Sequence, residues 1–301
     1  MASARDIKRR IKSVQNIAQV TRAMEMVAAS KMRRAQAQTL ASRPYAVKAW
    51  EVLQDLALQP GARGAIHPLL EERPVQRMGV VLITPDRGLC GALVNNMLRR
   101  TIHFIERHAD TPVSIIAVGR KGRDFLARHG YDIRAEFTRI PDQPGLLDIT
   151  PIARIAMDDF LSGEFDQVWI GYSAFVNTLV QRPTLRRVLP IWLDPRLQAR
   201  RLGEYIYEPS PAVILAEVLP RFVELQFYQA ILESIASEQS ARMVAMRNAT
   251  DNARELMESL TLSYNKARQA GITKEMLEIA SGAEALRQSR QRSSQQSAAS
   301  P

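Results

Sequence analysis

Two glycine-containing loops follow predicted strands, which is the position where α/β proteins bind phosphate groups. The first is Thr84–Gly91 (TPDRGLCG) and the second is Gly119–Arg123 (GRKGR). Helix-start amides bind phosphate in such folds, but the loop then carries a G-x-G-x-x-G run or a Walker motif ending in Lys-Ser/Thr. Neither loop has these patterns. We therefore expect a tight structural turn in the first loop rather than a nucleotide site, and an exposed basic turn rather than an anion site in the second.

Cysteine and histidine, which often act as nucleophiles, bases and metal ligands, occur at few positions. Cys90 is the one cysteine, so an internal disulfide and a thiolate zinc cluster are excluded, and no recognisable motif supplies a base to activate its thiol. His103 and His108 are five residues apart, which places them on different sides of a helix. We therefore expect no catalytic residue, no cofactor and no metal site.

The first part of the chain, residues 1–58, is predicted to be one long helix. Residues 2–43 contain no Gly or Pro and are mostly strong helix formers, which gives a helix of roughly 60 Å over that range. Its apolar residues advance by threes and fours, the spacing of a seam that packs on another helix. They are Ile7, Ile11, Val14 and Ala18, and then Ile17, Val20, Met24 and Val27.

A matching helix is predicted over residues 211–286. Ser210 is a favourable N-cap and Pro211 a favourable first residue, whereas Pro220 is expected to kink or restart the helix because it has no N–H to donate. The Ser-, Gln- and Arg-rich tail, residues 287–301, has no apolar face and is predicted to be disordered. The apolar seam of the helix is Leu225, Tyr228, Leu232, Ile235, Gln239, Met243, Met246, Thr250, Ala253, Met257, Leu260, Tyr264 and Ala267.

Between the two helices, residues 75–205 are predicted to form a Rossmann-like α/β domain. Apolar, β-rich runs alternate with helical stretches, an order typical of a largely parallel sheet covered by helices. Residues 59–74 and 195–209 are the expected linkers into and out of this domain. The predicted strands are Met78–Thr84, Val113–Val118 and Val168–Phe175, and the predicted helices lie near residues 92–108, 119–129 and 150–162.

The predicted fold class is therefore α plus α/β, with a long antiparallel coiled coil of the N- and C-terminal helices and a central α/β domain. A domain of about 130 residues has a radius of gyration near 14 Å, which is too small to cover helices of roughly 60 to 75 Å. Much of the apolar surface of the coiled coil must then be covered by another molecule.

The charge of the chain indicates an acidic partner. The formal net charge is +10, and residues 1–34 contain nine Lys and Arg against Asp6 and Glu25. Nucleic acid, an anionic membrane surface and acidic protein loops all fit such a charge. A basic coiled-coil protein that binds DNA and an α/β enzyme that uses Cys90 are therefore alternatives. No apolar run is long enough to span a membrane, and the first residues lack the apolar core of a signal peptide.

Several segments are similar, in the same order, to one known family. They are VTRAMEMVAASKMRR at 20–34, HPLL at 67–70, TPDRGLCGALVNN at 84–96, YIYEPSP at 205–211, ASEQSARMVAMRNATDNA at 236–253 and YNKARQAGITKEMLEIASGAEAL at 264–286. In these segments the chain resembles the γ subunit family of F-type ATP synthases, over essentially residues 1–286. It lacks the insertion with a cysteine pair of the chloroplast type, which favours a bacterial member.

The resemblance implies a central rotor shaft that couples proton flow through the membrane sector to ATP synthesis or hydrolysis at the β subunits, and that carries no catalytic site itself. The implied partners are the α and β subunits that surround the coiled coil, the ε subunit and the membrane c-ring, and not nucleic acid. The implied location is peripheral, on the cytoplasmic face of the bacterial plasma (inner) membrane.

The resemblance also implies contact residues. Met24, Arg242 and Gln269 match family positions where the shaft meets the catalytic head. Contacts with acidic β-subunit loops are implied for Arg9, Arg10, Lys31, Arg33 and Arg34. A foot that rests on the rotor ring is implied for Glu204, Tyr205, Tyr207 and Glu208.

Overall fold

Two long helices run through both compact units of the computed structural model, which describes residues 4–57, 67–192, 208 and 210–298. The first unit is formed by Met1–Ala23 with Arg247–Pro301, and the second is Met24–Met246. Helix α1 spans Ala4–Ala57 and helix α5 spans Pro211–Ala298. At 1.5 Å per residue they measure about 80 Å and about 130 Å. Within the described residues, no helix has an apolar stretch long enough to cross a membrane.

In the first unit the two helices are joined through small and apolar side chains. The hydroxyl groups of Thr21 on α1 and Thr250 on α5 are 2.7 Å apart, and Ile7, Ala18 and Ala253 are buried. Small side chains allow two helices to approach closely, so each buries the other's seam. Of the two apolar stripes predicted for α1, the one formed by Ile7, Ile11, Val14 and Ala18 therefore packs against α5.

In the second unit the same two helices pack against each other and against the central domain. The rings of Trp50 on α1 and Phe222 on α5 stack with their centroids 5.1 Å apart. Because α1 advances from Thr21 to Trp50 while its contacts on α5 go back from Thr250 to Phe222, the helices are antiparallel. This confirms the predicted antiparallel pair.

The central domain is a five-stranded mixed sheet in the order β3-β2-β1-β4-β5. Strands β1 to β4 run parallel to one another, and β5 is antiparallel to β4, with Tyr172 opposite Thr184. The strands are β1 Met78–Ile83, β2 Val113–Val118, β3 Ile133–Phe137, β4 Gln167–Phe175 and β5 Gln181–Leu189. The helices between them are α2 Leu93–Arg107, α3 Arg120–Arg128 and α4 Leu146–Leu161.

The two faces of this sheet bury separate apolar cores, because successive side chains of a strand point to opposite faces. On one face Val81 and Ile83 of β1 pack with α4 and with the parts of α1 and α5 that belong to this unit. On the other face Leu82 packs with α2 and α3. The sheet thus has the layered arrangement predicted for residues 75–205, and one of its covering layers is the helix pair itself.

One prediction about the course of helix α5 needs correction. Helix α5 begins as predicted at Pro211, where the amide of Val213 donates to the Ser210 hydroxyl at 3.4 Å. It does not restart at Pro220 but continues through it, because the loss of one N–H donor is offset by the burial of its neighbours Leu219 and Phe222. Helix α1 likewise continues past a proline, Pro44, as the predicted helix over residues 1–58 requires, and is described to Ala57.

The structure also differs from the prediction of a disordered tail. Residues 287–298 continue α5 as helix, and 299–301 lie outside the described residues. This stretch has no apolar face, but it also has no Gly or Pro, and it extends a helix that is already nucleated. Propagation from an existing helix costs far less than starting one, which composition alone does not reveal.

Candidate functional site

The loop Thr84–Gly91 folds over the amino end of α3 and satisfies its first three amide groups. The amide of Arg120 donates to the Asp86 carboxylate at 2.9 Å, that of Lys121 to the Pro85 carbonyl at 3.1 Å, and that of Gly122 to the Thr84 hydroxyl at 2.8 Å. A helix amino end attracts phosphate because these amides are free there. Here a carboxylate, a carbonyl and a hydroxyl of the chain take that place, which agrees with the structural turn expected from the sequence.

Gly119 makes this arrangement possible. Its φ is +93°, and a Cβ atom built on it would lie 1.8 Å from the carbonyl oxygen of Thr84. Any other residue would push the loop away from the ends of β1 and β2, so the close approach requires glycine.

Cys90 lies at the end of the same loop and is shielded from reagents. The side chain is 2 % exposed, and burial raises the pKa of its thiol, with a further increase from the nearby Glu238 carboxylate. A thiol with a raised pKa is a poor nucleophile, because the thiolate is the reactive form.

Helix α5 contacts this loop through an ion pair. The guanidinium of Arg242 donates to the Glu238 carboxylate one turn earlier at 2.7 Å and to the backbone carbonyl of Gly88 at 3.3 Å. Arg242 is only 9 % exposed. Burial raises the pKa of the Glu238 carboxyl, and Arg242 opposes that shift. The pair therefore compensates a buried charge and ties α5 to the loop.

Two serines of α5 extend the contact to the neighbouring hairpin. The Ser237 hydroxyl donates to the carbonyl of Ser173 in β4 at 2.8 Å, and the Ser240 hydroxyl donates to the carbonyl of Thr178 in the β4–β5 turn at 2.7 Å. That turn is rigid, because the Asn177 side chain accepts hydrogen bonds from the two amides of Leu179 and Val180.

Helix α1 is tied to the central domain by a separate ion pair. The Lys31 ammonium lies 2.6 Å from the carboxylate of Asp142, in the connection between β3 and α4. Asp142 and Asp86 both act on the Glu238 carboxyl and raise its pKa, so the three acidic groups share one neighbourhood. Cations from both long helices, Lys31 and Arg242, thus meet acidic groups at the same end of the sheet.

The contact residues implied by the resemblance have different environments. Lys31 and Arg242 are engaged within the chain, as described above, and Met24 is partly buried. The residues with exposed side chains are Arg9, Arg10, Arg33, Arg34, Gln269 and Glu208. The other residues of the predicted foot, Glu204, Tyr205 and Tyr207, lie outside the described residues.

Apolar side chains are exposed along the part of α5 that belongs to the first unit. From Arg254 to Leu286 no side chain is buried within the described chain, and every one from Arg268 to Leu286 is exposed. The large apolar residues among them are Leu256, Leu262, Ile272, Met276, Leu277, Ile279 and Leu286, each between 49 % and 73 % exposed. A helix surface of this kind marks a protein contact, because water does not favour so much apolar area.

Comparison with known proteins identifies the family. The family model described as ATP synthase matches residues 3–286. An ATP synthase gamma chain of Dehalococcoides mccartyi is 57 % identical over 286 residues, which are 95 % of this chain and 100 % of that protein. The chain belongs to the ATP synthase gamma chain family. A gamma chain of Roseiflexus sp. is 56 % identical over 290 residues, which are 95 % of this chain and 99 % of that protein.

Solved structures agree with this family. A chain of the central stalk and c-ring structure of the Tetrahymena thermophila mitochondrial ATP synthase has a TM-score of 0.61 and 26 % identity, over 76 % of this chain and 99 % of that one. A chain from the Euglena gracilis mitochondrial ATP synthase has a TM-score of 0.65 and 20 % identity, over 94 % of both chains, and supports the fold. The gamma-chain family therefore accounts for both the helix pair and the sheet.

Sequence reasoning missed several groups of this site. The Gly88 carbonyl, Ser237 and Ser240 carry hydrogen bonds between α5 and the sheet. They lie in segments that resemble the family, but the sequence of those segments does not say what these groups bind. The spacing of Glu238 and Arg242 by one helical turn is the one sequence signal that predicts an ion pair here.

Proposed function

We propose that this chain is the rotating central shaft of an ATP synthase, coupling proton flow through the membrane sector to ATP synthesis or hydrolysis on neighbouring subunits. The observation that carries the proposal is the exposed apolar surface of α5 between Arg254 and Leu286. A helix that must turn inside another protein needs an apolar surface without fixed ion pairs, because each buried ion pair would hold it in one orientation.

The relatives supply the partners for this surface. The Tetrahymena central stalk was solved together with its c-ring, and the Euglena chain comes from a structure of OSCP, F1 and the c-ring. These relatives support a ring of α and β subunits around the helix pair and a membrane ring as a further partner. The ε subunit is the third proposed partner. Bacterial relatives support a location at the cytoplasmic face of the plasma membrane, where the chain is peripheral.

We assign no catalytic step to this chain. The amide groups that would bind phosphate are bonded to Thr84, Pro85 and Asp86, and the Cys90 thiol is buried. The DNA-binding alternative gains no support from the relatives, which are ATP synthase gamma chains.

The contact residues divide into three groups under this proposal. Gln269, on the exposed part of α5, and Met24 meet the catalytic head. Contacts with acidic loops of the β subunits are proposed for the exposed basic side chains Arg9, Arg10, Arg33 and Arg34. The residues Glu204, Tyr205, Tyr207 and Glu208 form the proposed foot on the membrane ring.

A reversible tether tests rotation. A cysteine replaces Gln269 in a Cys90→Ser background, a second cysteine is placed on the facing β-subunit loop, and ATP hydrolysis by the assembled complex is measured before and after reduction. We expect oxidation to abolish hydrolysis and reduction to restore it, because a shaft joined to one β subunit cannot turn. The control is the complex with the Gln269→Cys change alone, whose rate of ATP hydrolysis should be the same before and after oxidation. Full hydrolysis with the tether in place would refute the rotating shaft.

A further inference from the structure

We propose that Asp86, Gly88, Glu238 and Arg242 form a latch that stops α5 from turning about its own axis against the central sheet, and that Arg242 serves coupling through this latch. The inference rests on the proposed shaft function and goes beyond it. It differs from the role that the family resemblance implies for Arg242, which is a contact with the catalytic head.

The first argument is the environment of Arg242. Its side chain is 11 % exposed and that of Glu238 is 17 % exposed. The guanidinium already donates to the Glu238 carboxylate at 2.7 Å and to the Gly88 carbonyl at 3.3 Å. A side chain this enclosed presents little surface to a neighbouring subunit, so its contacts within the chain are where it acts.

The second argument is that the acceptor on the loop is itself held in place. The two carboxylate oxygens of Asp86 accept the amide of Arg120 at 2.9 Å and the amide of Arg139 at 2.8 Å. Asp86 thus joins the ends of three strands, since these amides follow β2 and β3. The Gly88 carbonyl, two residues further on, is therefore presented to α5 by the sheet and not by a free loop.

The third argument is the direction of the contacts around α5. Ser240 and Arg242 are two residues apart, so they project about 200° apart around a helix that turns about 100° per residue. Ser240 bonds the β4–β5 turn at Thr178 while Arg242 bonds the loop at Gly88. The sheet therefore holds the helix from two opposite sides within a single turn.

Hydrogen bonds at such positions resist a kind of motion that apolar contacts resist poorly. Burial of apolar area is non-directional, so it opposes rotation of a helix about its own axis only weakly. A hydrogen bond weakens steeply as its angle changes, so it opposes such a rotation directly. Four residues after Arg242 the second unit ends at Met246, and α5 continues into the first unit. The latch thus lies on the part of α5 through which any twist applied to the central domain enters the rest of the helix.

The test uses the complete ATP synthase in sealed vesicles and measures protons pumped per ATP hydrolysed. The main variant combines Arg242→Met with Glu238→Gln, so that no buried charge is left without a partner. The second variant, Asp86→Asn, keeps the shape of the side chain but replaces one acceptor oxygen by an NH₂ group that cannot accept an amide hydrogen. Arg247→Met removes an exposed arginine from the same helix and is the matched control.

We expect the double variant to hydrolyse ATP at close to the normal rate while protons pumped per ATP fall roughly threefold or more. Without the hydrogen bonds to charged groups, α5 can turn against the sheet, so hydrolysis no longer drives the central domain at every step. Asp86→Asn should cause a smaller loss of the same kind. A triple variant that combines Arg242→Met, Glu238→Gln and Asp86→Asn should pump as many protons per ATP as the double variant, because all three changes act through one contact. Arg247→Met should pump normally.

Other outcomes overturn the latch. An unchanged ratio in the double variant refutes it directly, and losses that multiply in the triple variant show that Asp86 and Arg242 act separately. A fall in ATP hydrolysis with an unchanged ratio places Arg242 at the catalytic head instead. Failure of the shaft function itself would appear elsewhere, as full hydrolysis by the complex tethered at position 269.

Discussion

Alanine at Gly119 should destabilise the chain much more than alanine at Gly130, although both glycines have positive φ. The φ values are +93° and +72°, so both replacements incur a backbone penalty of about 1–2 kcal/mol. At Gly130 a new Cβ would meet nothing within 4 Å, whereas at Gly119 it would lie 1.8 Å from the Thr84 carbonyl oxygen and 2.8 Å from its carbon. Backbone atoms cannot move aside like the end of a side chain, so this clash adds about 1–3 kcal/mol.

The assay is urea unfolding of the purified full chain, followed by circular dichroism, for the wild type and both variants. We expect losses in the free energy of unfolding of about 1–2 kcal/mol for Gly130→Ala and about 2–5 kcal/mol for Gly119→Ala. The difference between the variants reports what is particular to Gly119, which is the clash with Thr84 together with a backbone at φ +93° and ψ 141° that lies outside the left-handed helical region. Equal losses, within about 0.5 kcal/mol, would refute the close packing of the two strand ends.

Three further predictions concern buried side chains. Cys90 should react with iodoacetamide far more slowly in the folded chain than in urea, because burial raises the pKa of its thiol, and equal rates would contradict this. Burial also raises the pKa of Glu238 above its ordinary 4.5, so the free energy of unfolding should fall as the pH rises above 4.5. Urea unfolding at several pH values should show a smaller fall for Glu238→Gln than for the wild type. The same dependence of the unfolding free energy on pH in both proteins would contradict a raised pKa at Glu238. Phe227→Ala should lower the free energy of unfolding by about 3–5 kcal/mol, and Leu262→Ala, at a side chain 66 % exposed, by at most about 0.5 kcal/mol; similar losses would argue against the buried core.

The helix seam was predictable from the sequence because its spacing is long and regular. In α5 the predicted positions Gln239, Met246, Thr250 and Ala253 are buried, and those beyond Ala253 up to Ala267 are the less exposed ones in their turns. The end of α5 was not predictable in the same way. Its last residues are helical because they propagate a helix that is already formed before them. The spacing of apolar residues gives no sign of this propagation.

The sheet was predicted only in part, and the two missed strands share a cause. Strand β5 contains Pro183 and three arginines, which argue against a strand in the middle of a sheet but are tolerated at its edge. Strand β3, at the opposite edge, is five residues long and alternates between partly buried and exposed positions. Central strands such as β1 bury every residue and are therefore visible as apolar runs.

The candidate site shows a different limit. The resemblance singles out Arg242, but it does not say which atoms surround the guanidinium, since the Gly88 carbonyl is 154 residues away in the chain. Backbone carbonyls are present at every residue, so no sequence pattern marks the one that will accept a hydrogen bond. The structure is needed to separate a residue that faces a neighbour from one that fastens two parts of its own chain.

The way in which Asp86 covers the amino end of α3 has a consequence for the working complex. An open set of helix amides in an α/β domain would attract ATP, ADP and phosphate, and the stiffness of the domain would then vary with how much of each was bound. With a carboxylate, a carbonyl and a hydroxyl of its own bonded to these amides, the domain leaves none of the three free for such an anion. The central domain of the shaft therefore does not bind the nucleotides that the complex makes or hydrolyses. We expect its stiffness to stay the same at high and at low concentrations of ATP, ADP and phosphate.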